Sequence, residues 1–157
     1  MSMKAENVLN FPRPAICEPC AHRLTVEFNG VVIADTTGGY RALETYHPPT
    51  YYLPMEDIKA EHLVKNSRRS LCEWKGQASY FDIVVGDKRA DGAAWTYAKP
   101  TPPFAPIEGK VAFYAEPMER CTVGGVDVIP QPGNFYGGWL TPNIEGPVKG
   151  APGTTHW

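Results

Sequence analysis

The run "LTVEFNGVVIADT", which begins at Leu24, alternates apolar and polar positions on either side of Asn29-Gly30. Alternation is the period of a half-buried strand, and Asn-Gly supplies the positive φ angles of a tight turn, so the pattern predicts an antiparallel hairpin. In "RCTVGGVDVIP" the same logic returns, with Gly124-Gly125 between two short Val-rich runs. Between these hairpins, "SYFDIVVGDKRADGAAWTYA" reads as two longer strands joined by a polar turn. Helical periodicity is scarce. "PMEDIKAEHLVKN" is acidic early, carries Lys65 late and sets Ile58, His62 and Leu63 loosely on one face, enough for one or two turns. The predicted fold class is therefore mainly β, antiparallel, with little helix.

Residues 1–23 mix prolines, polar residues and scattered apolar ones without a period, which predicts an N-terminal extended arm laid on a single β domain over residues 24–157. The last third, "YAKPTPPFAPIEG" and then "QPGNFYGGWLTPNIEGPVKGAPGTTHW", is too rich in proline for central strands, because proline cannot donate to a ladder. It is expected as a long ordered C-terminal coil. Phe135, Tyr136, Trp139 and Trp157 are costly to leave in water, so this tail is expected to wrap back onto the body.

Composition narrows the function classes. A chain of 157 residues suits one domain, and a formal net charge of −2 without any Lys/Arg run gives no footprint for a nucleic-acid backbone. No run reaches the roughly 18 apolar residues of a membrane span, and "MSMKAENVLNFPRP" lacks the apolar core of a secretory signal, so no membrane role and a cytoplasmic location are expected. Four cysteines, at 17, 20, 72 and 121, are too sparse for a disulfide scaffold and are expected as free thiols. Cys17-Glu18-Pro19-Cys20 is half of a zinc pattern whose second half is missing, since Cys72 and Cys121 stand apart; no metal site is assigned, and no motif names a cofactor.

Candidate chemistry gathers in three clusters. "ETYHPPTYYLP" holds Glu44, Thr45, His47 and Tyr51 ahead of or beside two prolines that restrict the local path. Strand alternation would turn Glu44, Tyr46 and Pro48 to one face and Thr45 and His47 to the other. "CEWKGQASYFD" adds Trp74, Lys75 and Tyr80 around a glycine that permits close approach, and "AWTYAKP" adds Trp95 and Tyr97. Each has a plain structural alternative: a strand entering a turn, tryptophans filling a core, and a lysine lying along the surface.

Taken together with "GVVIADT", "GKVAFYAE" and the C-terminal run, these motifs, in this order, resemble domain-of-unknown-function family 427, also labelled nucleotidyltransferase-like, over nearly the whole chain from about Pro12. The resemblance implies a tent-like (Mss4-like) arrangement of two antiparallel sheets with a cleft between them. It also implies that Glu44, Thr45, His47, Pro48, Pro49, Tyr51, Trp74, Lys75, Gly76 and Tyr80 are among the family's characteristic positions. Cys17 and Cys20 fall where other members carry no cysteine.

Two functions are open on these grounds. One is a small-molecule binding domain in which Thr45, Tyr51, Trp74, Tyr80, Trp95 and Tyr97 enclose an organic ligand that Glu44 and Lys75 orient. The other is an enzyme with Glu44 or His47 as general base and Lys75 or Tyr80 stabilising negative charge. Nucleotidyl transfer would need paired carboxylates for Mg²⁺ and a phosphate cradle, and neither stands out in the sequence. An open β edge after the N-terminal arm would support a homodimer.

Overall fold

A computed structural model of the chain describes residues 3–72, 75–132 and 137–149. Its strands, in chain order, are β1 (Glu6–Asn7), β2 (Ile16–Pro19), β3 (Leu24–Phe28), β4 (Val31–Thr36), β5 (Tyr40–Leu43), β6 (Thr50–Tyr52), β7 (Leu63–Cys72) and β8 (Gly76–Val85). They continue as β9 (Lys88–Thr96), β10 (Val111–Phe113), β11 (Arg120–Val123), β12 (Val126–Asp127), β13 (Ile129–Pro130), β14 (Trp139–Leu140) and β15 (Ile144–Glu145). The helical segments among the described residues are short 3₁₀ turns, two of them (Met55–Asp57 and Ala60–His62) within the stretch where one or two turns were expected. No helix there is long and apolar enough to cross a membrane.

Both predicted hairpins form. Asn29 and Gly30 take φ of 48° and 76° between β3 and β4, and Gly124 and Gly125 take 58° and 81° between β11 and β12, the double positive φ of a two-residue turn. β11 then pairs with β3, which makes one four-stranded antiparallel sheet in the order β12-β11-β3-β4. The two longer strands are β8 and β9, and they sit inside a second antiparallel sheet, β10-β9-β8-β7. A third sheet, β2-β5-β6, is fastened to β10 by reciprocal backbone hydrogen bonds of 2.8 Å between Leu53 and Val111.

The period of two then divides the interior. Along β10, Val111 and Phe113 face a core shared with Leu24, Val26 and Ile33 of the first sheet, while Ala112 faces the opposite side with Tyr52, Tyr80, Trp95, Tyr97 and Phe104. Full burial of each large apolar side chain in the first core is worth about 1.5–3 kcal/mol. The second, aromatic side is where the cavity described below opens.

The N-terminal segment adds strands of its own, with a 3₁₀ turn at Val8–Asn10 between them. β2 pairs with β5, β1 pairs in parallel with β15, and Val8 is fully buried against Phe11, Leu43 and Val148. A bidentate ion pair, Arg41 to both carboxylate oxygens of Glu6 at 2.7 Å, ties β1 to β5. In the C-terminal third, Trp139 is buried in the main core, where its indole N–H donates to the Phe113 carbonyl at 2.9 Å; Phe135, Tyr136 and Trp157 lie outside the described residues.

Candidate functional site

β5 ends at Leu43, so Glu44 and His47 do not alternate across a strand as the sequence pattern suggested. Residues 44–47 instead form a β-turn closed by a 3.0 Å hydrogen bond from the His47 N–H to the Glu44 carbonyl, with Tyr46 at φ 69° in the place a type II turn usually gives to glycine. A turn of this kind brings its first and last residues to the same side. Neighbouring segments hold it in that shape: Thr45 N–H donates to Pro12 O at 3.2 Å, Tyr46 N–H to Val8 O at 3.3 Å, and Lys149 N–H to Tyr46 O at 2.7 Å.

Glu44 and His47 thereby reach a cavity of about 280 Å³. Its other walls come from β6 (Tyr52), from β7 (Ser70 and Cys72), from Lys75 just before β8, from Tyr80 on β8 and from Trp95 on β9. Tyr97, Tyr114, Gln131 and Lys149 also line it. Of the residues singled out in the sequence, Glu44, His47, Lys75, Tyr80, Trp95 and Tyr97 meet here.

Two others do not. Tyr51 precedes Tyr52 on β6, and adjacent strand residues face opposite ways, so Tyr51 points into the main core and packs on Trp139 with ring centroids 5.4 Å apart. Thr45 turns its hydroxyl to the Phe11 carbonyl at 2.6 Å and so secures the N-terminal segment. Trp74 lies outside the described residues.

The buried amide of Gln131 determines the state of His47. Its Oε1 accepts from Gly138 N–H at 3.1 Å and its Nε2 donates to the Lys149 carbonyl at 2.8 Å, so the amide orientation is fixed by two backbone groups. The second N–H on Nε2 then points at His47 Nδ1, 3.1 Å away, which must accept. The neutral imidazole therefore carries its proton on Nε2, 4.0 Å from a Glu44 carboxylate oxygen. Burial holds the proton affinity of His47 below the ordinary histidine range; Glu44 opposes this, and Lys149, Lys75 and Arg13 add to it. At neutral pH His47 is a donor at Nε2, which leaves Glu44 as the acceptor of the pair.

The remaining walls are aromatic and cationic. Trp95 and Tyr114 pack at 4.6 Å between centroids with planes tilted by 49°, and burial pushes the Tyr114 phenol up to about 12. Tyr80 shares a 2.8 Å hydrogen bond with Ser70 Oγ, and the Arg68 guanidinium lies 4.4 Å from its ring centroid. Lys75 Nζ is 3.8 Å from Cys72 Sγ and 5.5 Å from the Phe104 ring. A second hollow of about 300 Å³ lies next to the first and shares Tyr114, Gln131 and Gly137 as lining.

Tyr52, Ser70, Tyr114, Gln131 and Lys149 were not recognised in the sequence, and Cys72 was weighed only as a zinc ligand. Tyr52 could have been found from the period of two once Tyr51 was placed in the core. Gln131, in a Pro/Gly run, gives no local signal. The four cysteines are free thiols divided between the two sides of the sheet: Cys20 and Cys121 lie in the main core, while Cys17 and Cys72 pack against the aromatic cluster. Among the described residues no group of three or more His, Cys, Asp or Glu side chains is arranged to hold a metal ion.

No curated protein matches the chain. A family model described as Domain of unknown function (DUF427) matches residues 16–124, which is well over half of the sequence, and the chain belongs to that family.

Proposed function

We propose that the cavity binds a small organic molecule and that this binding is the protein's function. The observation that carries the reading is convergence: polar and aromatic side chains from segments as far apart as Glu44, Tyr80 and Lys149 line one hollow. At about 280 Å³ the hollow is near the lower end of ligand pockets, which run from roughly 300 to 1,000 Å³. Its mixture of ring faces with a few placed charges is the usual composition of such sites. Free thiols favour a reducing compartment, the cytoplasm, as the place where the ligand is met.

A thermal-shift screen of metabolites and nucleotides tests the proposal. A ligand present at 100 times its dissociation constant adds about 2.7 kcal/mol to folding stability, a shift of several degrees in Tm. A screen in which no compound moves the transition removes the proposal.

Catalysis is the second reading, and the Glu44–His47 pair favours it. In this reading Glu44 is the general base and the neutral His47 offers its Nε2–H as a hydrogen-bond donor, with Lys75 in the same cavity to offset developing negative charge. Turnover of a bound compound that survives unchanged in Glu44→Gln would eliminate this assignment.

A further inference from the structure

Gly137 carries no side chain, and its surroundings leave no room for one. A methyl group there would overlap Cη2 at the tip of the Trp95 indole and stand 3.0 Å and 3.1 Å from Cζ3 and Cζ2. The obstacle is a neighbouring side chain and not main-chain strain, because Gly137 does not take a positive φ and alanine suits its backbone. Trp95 belongs to β9, and it and Gly137 both line the cavity, so the indole tip meets the glycine at the cavity wall.

A larger residue at this position would force either its own segment or the indole to move. The segment is tied down on its C-terminal side: Gly138 N–H donates to Gln131 Oε1 at 3.1 Å, Gln131 N–H donates to the Gly138 carbonyl at 3.0 Å, and Trp139 N–H donates to the Pro49 carbonyl at 2.9 Å. Gly138 is seated as tightly, since a methyl group on it would meet Pro48 Cγ at 2.6 Å and the Pro48 carbonyl oxygen at 2.8 Å. The indole yields more easily, by rotation about its side-chain bonds. Tyr114, 4.6 Å away between ring centroids, closes one direction to it. The space left to it is the cavity.

Resting on the proposed small-molecule function, we infer that Gly137 is a positioning residue that sets ligand size: it admits the Trp95 indole at full length, and the place of that ring fixes how large a molecule the cavity accepts. A side chain at position 137 drives the indole into the cavity and selects for smaller molecules. A close-packed interior has few voids in which such a shift could be absorbed.

The test reads cavity size directly, by alkylation of Cys72 in the purified full chain with N-methylmaleimide and with N-(1-pyrenyl)maleimide. Mass spectrometry follows each site, and Cys17, which does not line the cavity, is the reference. In Gly137→Ala the pyrenyl-to-methyl ratio of rates at Cys72 should fall at least fivefold, with the ratio at Cys17 unchanged and an unfolding curve showing that the variant is folded. Trp95→Phe removes the overlapped end of the ring; it should raise the Cys72 ratio at least twofold on its own and bring it back to within twofold of the wild type when combined with Gly137→Ala. An unchanged or higher ratio in Gly137→Ala, an equal fall at Cys17, or no recovery in the double variant overturns the inference, as does a Cys72 closed to N-methylmaleimide in the folded wild type. Should Gly137→Ala fail to fold, Trp95→Phe alone decides, and an unchanged ratio there overturns the inference. These rates involve no natural ligand, so the thermal-shift screen decides the small-molecule function separately.

Discussion

Gln131 is 3% exposed and uses both ends of its amide to join β13's exit, the Lys149 backbone and His47. Replacement by leucine would fill the space while leaving the Gly138 N–H and the Lys149 carbonyl without this partner. Since an unsatisfied buried group costs about 1–3 kcal/mol, Gln131→Leu is expected to lower unfolding stability by about 2–3 kcal/mol in urea titration. The same amide makes a spectroscopic prediction: long-range ¹H–¹⁵N correlation should show His47 neutral with the proton on Nε2. Its pH dependence has a definite sign. The folded proton affinity of His47 lies below the unfolded value, so as pH falls below about 6.5 the unfolded chain takes up that proton first and stability declines; above that range the group contributes nothing. A His47→Gln variant should therefore lose less stability than the wild type between pH 7 and 5. Glu44, His47 and Lys75 could be singled out in the sequence because they are chemically conspicuous in a Pro- and Gly-marked context. Gln131 could not, since its role depends on where a proline-rich segment happens to pass.

β7 shows how an element can escape a reading of hydrophobic pattern. Its residues Lys65, Asn66, Arg68 and Arg69 are polar because the strand is a sheet edge, and a register shift between Asn66 and Arg69 breaks what alternation remains. The bulge is secured from the neighbouring strands by Asp82, a buried carboxylate on β8 that accepts from Asn66 Nδ2 and Gly92 N–H at 2.7 Å each and pairs with Arg89. Those donors hold its carboxyl below the usual range, the Asn66 hydrogen bond most of all. Asp82→Ala leaves the buried Gly92 N–H and the half-buried Asn66 amide without this acceptor and should cost about 2 kcal/mol in denaturant titration. Because the β7 wall carries Ser70 and Cys72, the same variant should also weaken any ligand of the cavity. The first hairpin, by contrast, was legible from two residues. Gly30 sits at φ 76°, where a β-branched side chain is strained, and Gly30→Val should lose about 1–2 kcal/mol without disturbing the cavity.

In the whole molecule, the aromatic cavity exists because one face of the linked β6, β10, β9 and β8 strands packs on the first sheet while the other carries tyrosines and Trp95. The mainly β character followed from alternation and turn chemistry. Which face each tyrosine takes did not, because a one-residue change of register exchanges Tyr51 with Tyr52, and only the pairing with β5 fixes it. Long-range closure through Leu53 and Val111 is likewise invisible in a local pattern. The most direct test of the account uses Cys72 and Cys17, both free and partly accessible, of which only Cys72 lines the cavity. Alkylation of the folded protein with iodoacetamide, followed by mass spectrometry, should show that every compound that raises Tm slows labelling of Cys72 and leaves the rate at Cys17 unchanged. Compounds that raise Tm while Cys72 reacts at its original rate would place the ligand elsewhere and contradict the account.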